Sequence, residues 1–113
     1  MRFNLGKCYI AGKITDLTEQ QWTTNFETAK KEVIALGYDP VSPVELKHEH
    51  NKTWNEFMRE DLIAMLNCTA VYACDNYRES KGASIEVELA DRLGFQILYQ
   101  ELNEARIVNS KNQ

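Results

Sequence analysis

Long apolar runs are missing from this chain. Nothing in it approaches the roughly 20 consecutive apolar residues that cross a bilayer, and its start, Met1-Arg2-Phe3-Asn4-Leu5-Gly6-Lys7, lacks the apolar segment of a secretory signal. A soluble, cytoplasmic protein with no membrane partner is therefore expected. A basic block is missing too. Lys and Arg number 13 against 17 Asp and Glu, for a formal net charge of −4, so a nucleic acid polymer is not an expected partner. A small phosphorylated ligand stays open, because backbone amides at a helix start can hold one phosphate. Neither the GxGxxG fingerprint nor the GxxxxGK[ST] loop occurs, which removes support for a dinucleotide domain or a P-loop enzyme. Cysteine is sparse and odd in number. Cys8, Cys68 and Cys74 have apolar neighbours and no CxxC spacing, which suits free buried thiols better than disulfides or zinc.

What is present is one domain's worth of chain, 113 residues with no internal repeat. Lys7-Cys8-Tyr9-Ile10-Ala11, closed by Gly12, reads as a buried strand. Asp16 or Thr18 can cap the next helix, on which Trp22, Phe26, Ala29, Val33 and Leu36 repeat at helical spacing until Gly37. Tyr38 to Pro43 is short and holds both prolines, which predicts an extended edge segment. Val44 to Thr53 is polar and reads as a binding loop or lid. Its His48 and His50 could ligate a metal, but no further ligand set stands near them, and a solvated loop is the plainer reading. Thr53 caps a second helix with the stripe Trp54, Met58, Asp61, Leu62 and Met65, joined by Phe57 and Leu66. Thr69 to Cys74 is a central strand with Asp75 at its carboxyl end. Ala83, Glu86, Ala90 and Leu93 form the inner stripe of a third helix, and Phe95 to Tyr99 is the last strand. Strands alternating with helices predict an α/β fold: a single-domain flavodoxin-like or Rossmann-like parallel sheet of four or five strands, with helices on both faces. This domain covers residues 1–100, and 101–113 read as a terminal helix or tail.

Two acids interrupt the apolar stripes. Glu86 points toward the core while Glu88, two residues on, points to water, and a carboxylate is rarely taken out of water without a partner or a task. The plainer alternative leaves Glu86 half exposed near the helix start, steadied by the dipole. Asp61 takes a place where leucine would cost less, unless it pairs with Arg59 or another cation.

Tyr9-Ile10-Ala11-Gly12 after the first strand, Asp61 on the second helix, and Ser80-x-Gly82-x-x-x-Glu86 with Ala90 beyond resemble the nucleoside 2-deoxyribosyltransferase superfamily. They are most similar to its small phage and bacterial branch, and they span roughly Cys8 to Tyr99. The resemblance implies that Glu86 attacks the anomeric carbon of a 2-deoxyribosyl unit and that Asp61 protonates or hydrogen-bonds the leaving base. Tyr9, Gly12, Ser80 and Gly82 would bind substrate, with Asp75 a sugar-binding or structural acid. It implies neither metal nor cofactor, and a homo-oligomer, for whose interface Trp54, Phe57 and Tyr77 are candidates if they are not core. Transferases of that superfamily acting on free nucleosides usually carry aspartate where this chain has Ser80. The related deoxynucleoside 5′-monophosphate N-glycosidases carry serine, which helps hold the phosphate, so a nucleotide is the expected ligand; a plain N-cap is the other role open to Ser80. Glu88 also departs from the small residue frequent there.

Overall fold

The structure, a computed structural model, describes residues 4–46 and 52–101. His48 and His50, residues 47–51 of the expected lid, and residues 102–113 lie outside the described residues. In chain order the elements are β1 (Lys7–Ala11), α1 (Glu19–Ala35), β2 (Asp39–Val41), α2 (Trp54–Leu66), β3 (Ala70–Ala73), α3 (Lys81–Arg92) and β4 (Gln96–Tyr99), with 3-10 turns at Pro43–Glu45 and Tyr77–Glu79. The sheet is four-stranded, wholly parallel, and ordered β2-β1-β3-β4. This is the flavodoxin-like or Rossmann-like α/β architecture expected from the alternation of elements.

Local chemistry explains the boundaries. The Thr18 hydroxyl accepts from the Gln21 N–H while the Gln21 side chain accepts from the Thr18 N–H, a reciprocal cap that starts α1. Asp16, the other candidate cap, instead takes a left-handed turn at φ 69°, a conformation aspartate tolerates better than most residues. Gly37, at φ 96°, lets the chain leave α1 and enter β2. Thr53 caps α2 through Glu56 N–H, and Ser80 caps α3 through Ala83 N–H at 3.2 Å.

Side-chain alternation along β1 and β3 divides the core in two. Cys8, Ile10, Ala70 and Tyr72 face α1, against Phe26, Ala29 and Val33. Tyr9, Ala11, Val71 and Ala73 face the other way, against Met65 of α2 and Ala83, Val87 and Ala90 of α3. The small residues Ala83 and Ala90 let α3 lie close to the sheet.

Several stripe residues are more exposed than their spacing predicts. Leu93 is 53% exposed, and Leu36, Leu66 and Trp54 are also open to solvent. The cause is length. Twelve helical residues span about 18 Å, whereas the four residues of β3 span about 13 Å. The helices overhang the sheet, so a stripe that keeps its period loses its floor. At the strands' own ends, Thr69 and Phe95 fall just outside β3 and β4.

All three cysteines are free and buried. Burial pushes the thiols of Cys8 and Cys74 up to about 12 and raises that of Cys68, so none is a ready nucleophile. Cys74 also explains why Gly12 is glycine. A methyl group at Gly12 would come within 2.9 Å of Cys74 Sγ and 3.2 Å of its Cβ. Gly12→Ala is expected to cost ~1–3 kcal/mol by overpacking, and in denaturant unfolding Gly12→Ala with Cys74→Ala should cost less than the two single losses added. Simple additivity would refute the close approach.

Candidate functional site

A cavity of about 660 Å³ opens above the carboxyl ends of β1 and β3, within the range that holds small-molecule ligands. Its position follows from topology. From β1 the chain crosses on one face to β2, and later passes on the other face to β3, so the connections diverge and leave a crevice there.

Its floor is acidic. Glu86 projects from α3 among Ala83, Val87 and Ala90 and is only 4% exposed. Tyr9, fully buried on β1, donates its hydroxyl to Glu86 Oε2 at 2.7 Å. Asp61 reaches the same cavity from α2, between Met58 and Met65 on that helix's inner side. Desolvation raises the Glu86 pKa to about 8; the Tyr9 hydrogen bond pulls it down and the neighbouring Asp61 charge pushes it up. The Tyr9 hydroxyl is itself driven far above the ordinary phenol range by burial and by the two acids. It is therefore a fixed donor.

The walls are built from helix starts and loops. Gly12, Lys13, Ile14, Thr15 and Asp16 follow β1, and Lys13 N–H donates to Asn76 Oδ1 at 3.2 Å, tying this loop to the one after β3. Ser80, Lys81, Gly82 and Ala83 open α3. Gly82 lies close to α2: a Cβ there would come 3.0 Å from Met58 Sδ, so the methionine would have to shift slightly. Trp22, Trp54 and Phe57 supply aromatic surface, and Pro43 and Val44 close one side.

Tyr9, Gly12, Asp61, Ser80, Gly82 and Glu86 thus line one cavity. Asp75 is not among its lining residues: it is exposed at the end of β3, where its N–H donates to Gln100 Oε1. Ser80 serves as N-cap and lines the cavity as well. Phe57 is half-buried at the cavity, and Tyr77 packs against the core and Tyr99, their centroids 6.1 Å apart. Lys13 and Lys81 were not legible as site residues; Lys81 Nζ lies 4.3 Å from the centroid of the Trp54 ring, and the signal for it is its place one residue after a cap. Among the described residues no cluster of His, Cys, Asp and Glu could hold a metal ion, and no helix is long and apolar enough to cross a membrane.

A family model described as a domain of unknown function (DUF4406) matches residues 6–99. The chain belongs to that family. The match runs from the residue before β1 to the last residue of β4, so it takes in every element around the cavity. No curated protein matches the chain.

Buried acids leave a pH signature in stability. Below the ordinary carboxyl range Glu86 is protonated in both folded and unfolded chains and adds no ionisation-linked penalty. Between 4.5 and about 8 the unfolded chain ionises first, so stability falls as pH rises, and above 8 the full penalty is present. Glu86→Gln should therefore raise the melting temperature more at pH 8.5 than at pH 5, by roughly 4–8 °C for each kcal/mol relieved. A difference that stays constant with pH would refute the buried, proton-holding carboxyl.

Proposed function

We propose that this cavity cleaves, or transfers, the N-glycosidic bond of 2′-deoxynucleosides or their 5′-monophosphates. What carries the reading is Glu86, buried at the cavity floor with one carboxyl oxygen held by Tyr9 and with Asp61 lining the same space. The likeness of Tyr9 to Gly12, Asp61 and the Ser80-to-Glu86 motif to the nucleoside 2-deoxyribosyltransferase superfamily supports it.

In this reaction Oε1 of ionised Glu86 attacks the sugar's anomeric carbon as the bond from that carbon to the base nitrogen breaks. Positive charge develops on the ring, and the absent 2-hydroxyl eases it; the carboxylate stabilises and then captures it as an ester. The base departs with a proton or a hydrogen bond from Asp61. Water, or a second base, then attacks the same carbon from the opposite side and frees Glu86. Tyr9 holds Oε2 so that the carboxyl cannot rotate, and its hydrogen bond favours the ionised form that the attack needs. Ser80 and the amides beside it favour a nucleotide, because a hydroxyl at a helix start donates to a phosphate that a carboxylate would repel. In the same reading the protein is a homo-oligomer in which a neighbouring copy's loop completes the site.

A second reading, a protein that binds or sequesters a nucleotide without turnover, is favoured by one observation. With its pKa pushed up to about 8, Glu86 is mostly protonated at neutral pH, and a protonated carboxyl is no nucleophile.

Incubation with each deoxynucleoside and deoxynucleoside 5′-monophosphate, with and without a second base, separates the two. Turnover should release free base, Glu86→Ala should abolish it, and Asp61→Asn should slow it by roughly 10²–10⁴-fold. The value of kcat/KM should rise about tenfold per pH unit and level off near pH 8, where Glu86 ionises. Tyr9→Phe should move that limb to higher pH. Tight binding with no base released from any compound rejects catalysis in favour of the second reading.

A further inference from the structure

Trp54 and Lys81 are the first residues of α2 and α3, and they meet across the cavity mouth with the ammonium 4.3 Å from the ring centroid. Two features make this contact unusual for a lysine. Glu79 and Asp16 also line the cavity, yet among the described residues Lys81 forms no ion pair with a carboxylate. The ring it covers, moreover, belongs to the aromatic wall that Trp54 shares with Trp22 and Phe57. Trp54 as a whole remains 43% exposed, so its ring is not sealed into the core.

An ammonium on a partly exposed ring is held weakly, and a planar heteroaromatic group stacks on the same face at least as well. The geometry points to Lys81 as a removable cover on a ring-binding wall. A ligand bearing a planar aromatic group beside an anionic one takes the Trp54 face, and Lys81 swings from the ring to the anion. A neutral ligand uncovers the ring but offers the displaced ammonium no new charge, so Lys81 discriminates anionic from neutral ligands. For the site proposed above, on which this inference rests for its ligand class, that selects deoxynucleoside monophosphates over deoxynucleosides through a single side chain.

The chain has two tryptophans, so Trp22→Phe leaves Trp54 as its one tryptophan reporter. In that background each deoxynucleoside 5′-monophosphate, its nucleoside, and inorganic phosphate are titrated against fluorescence, with calorimetry on the chain that keeps Trp22 alongside, because Trp22 also lines the cavity. The best monophosphate should alter Trp54 emission and bind more tightly than its nucleoside. Lys81→Met should weaken the monophosphate at least tenfold, leave the nucleoside within about threefold, and flatten the salt dependence of monophosphate binding, whereas Lys81→Arg should restore most of it. Equal changes for both ligands in Lys81→Met, an unresponsive Trp54 while calorimetry shows binding, or no binding by any compound would each overturn the inference. Free base assayed in the same samples reports the glycosidic reaction separately: selectivity lost in Lys81→Met without base release supports the cover and rejects the chemistry, and base release with unchanged selectivity does the reverse.

Discussion

Taking the carboxyl of Glu86 out of water is the constraint around which the cavity is built. Burial alone would lock such a group neutral, and a full-strength partner cation would lock it ionised. Here the two neighbours act in opposite directions: the Tyr9 hydroxyl stabilises the charged form and the Asp61 carboxyl opposes it. The result is a group that changes charge near pH 8, within reach of a ligand that alters its surroundings. A leucine or glutamine on the same stripe would cost the fold less. The penalty is concentrated where the helices and the sheet leave a ligand-sized space, as expected of a perturbed acid that serves a site.

The space itself comes from a mismatch of lengths. Strands of three to five residues carry helices of 12 to 17, so each helix runs past the sheet. At one end the excess leaves Leu36, Leu66 and Leu93 exposed. At the other it raises the first turns of α2 and α3 above the carboxyl ends of β1 and β3, and these turns become walls carrying Trp54, Ser80, Lys81 and Gly82. One geometric fact thus accounts both for apolar residues in water and for a cavity with an aromatic rim.

Period was legible in the sequence, and extent was not. Spacings of three and four residues placed Glu86 with Ala83 and Ala90 and set Asp61 between Met58 and Met65, because helical geometry repeats whatever surrounds it. The same rule assigned Leu93 to the core, since a stripe carries no information about where the opposing sheet stops. Asp75 shows a similar limit: its place at a strand end could be read, but not that it stands outside the cavity. In β1, where every residue from Cys8 to Ala11 is buried, no alternation marks the two faces. That Tyr9 turns toward α2 and α3, and Ile10 toward α1, emerges only from the packing.

Rigidity is distributed to match. Tyr9 lies on β1, which pairs with β2 on one side and β3 on the other, so the donor that holds Glu86 cannot shift without disturbing the centre of the sheet. Gly12 at the end of that strand lies close against Cys74, and Gly82 at the head of α3 close against Met58. The floor is therefore preorganised by backbone and close packing. The rim carries the Lys81 ammonium on the Trp54 ring together with loop residues, contacts weaker than those of the floor. A site arranged in this way fixes its acid geometry through the sheet and leaves adjustment to the mouth, so on the proposed reading selectivity can vary through Trp54 and Lys81 without moving the carboxyls beneath them.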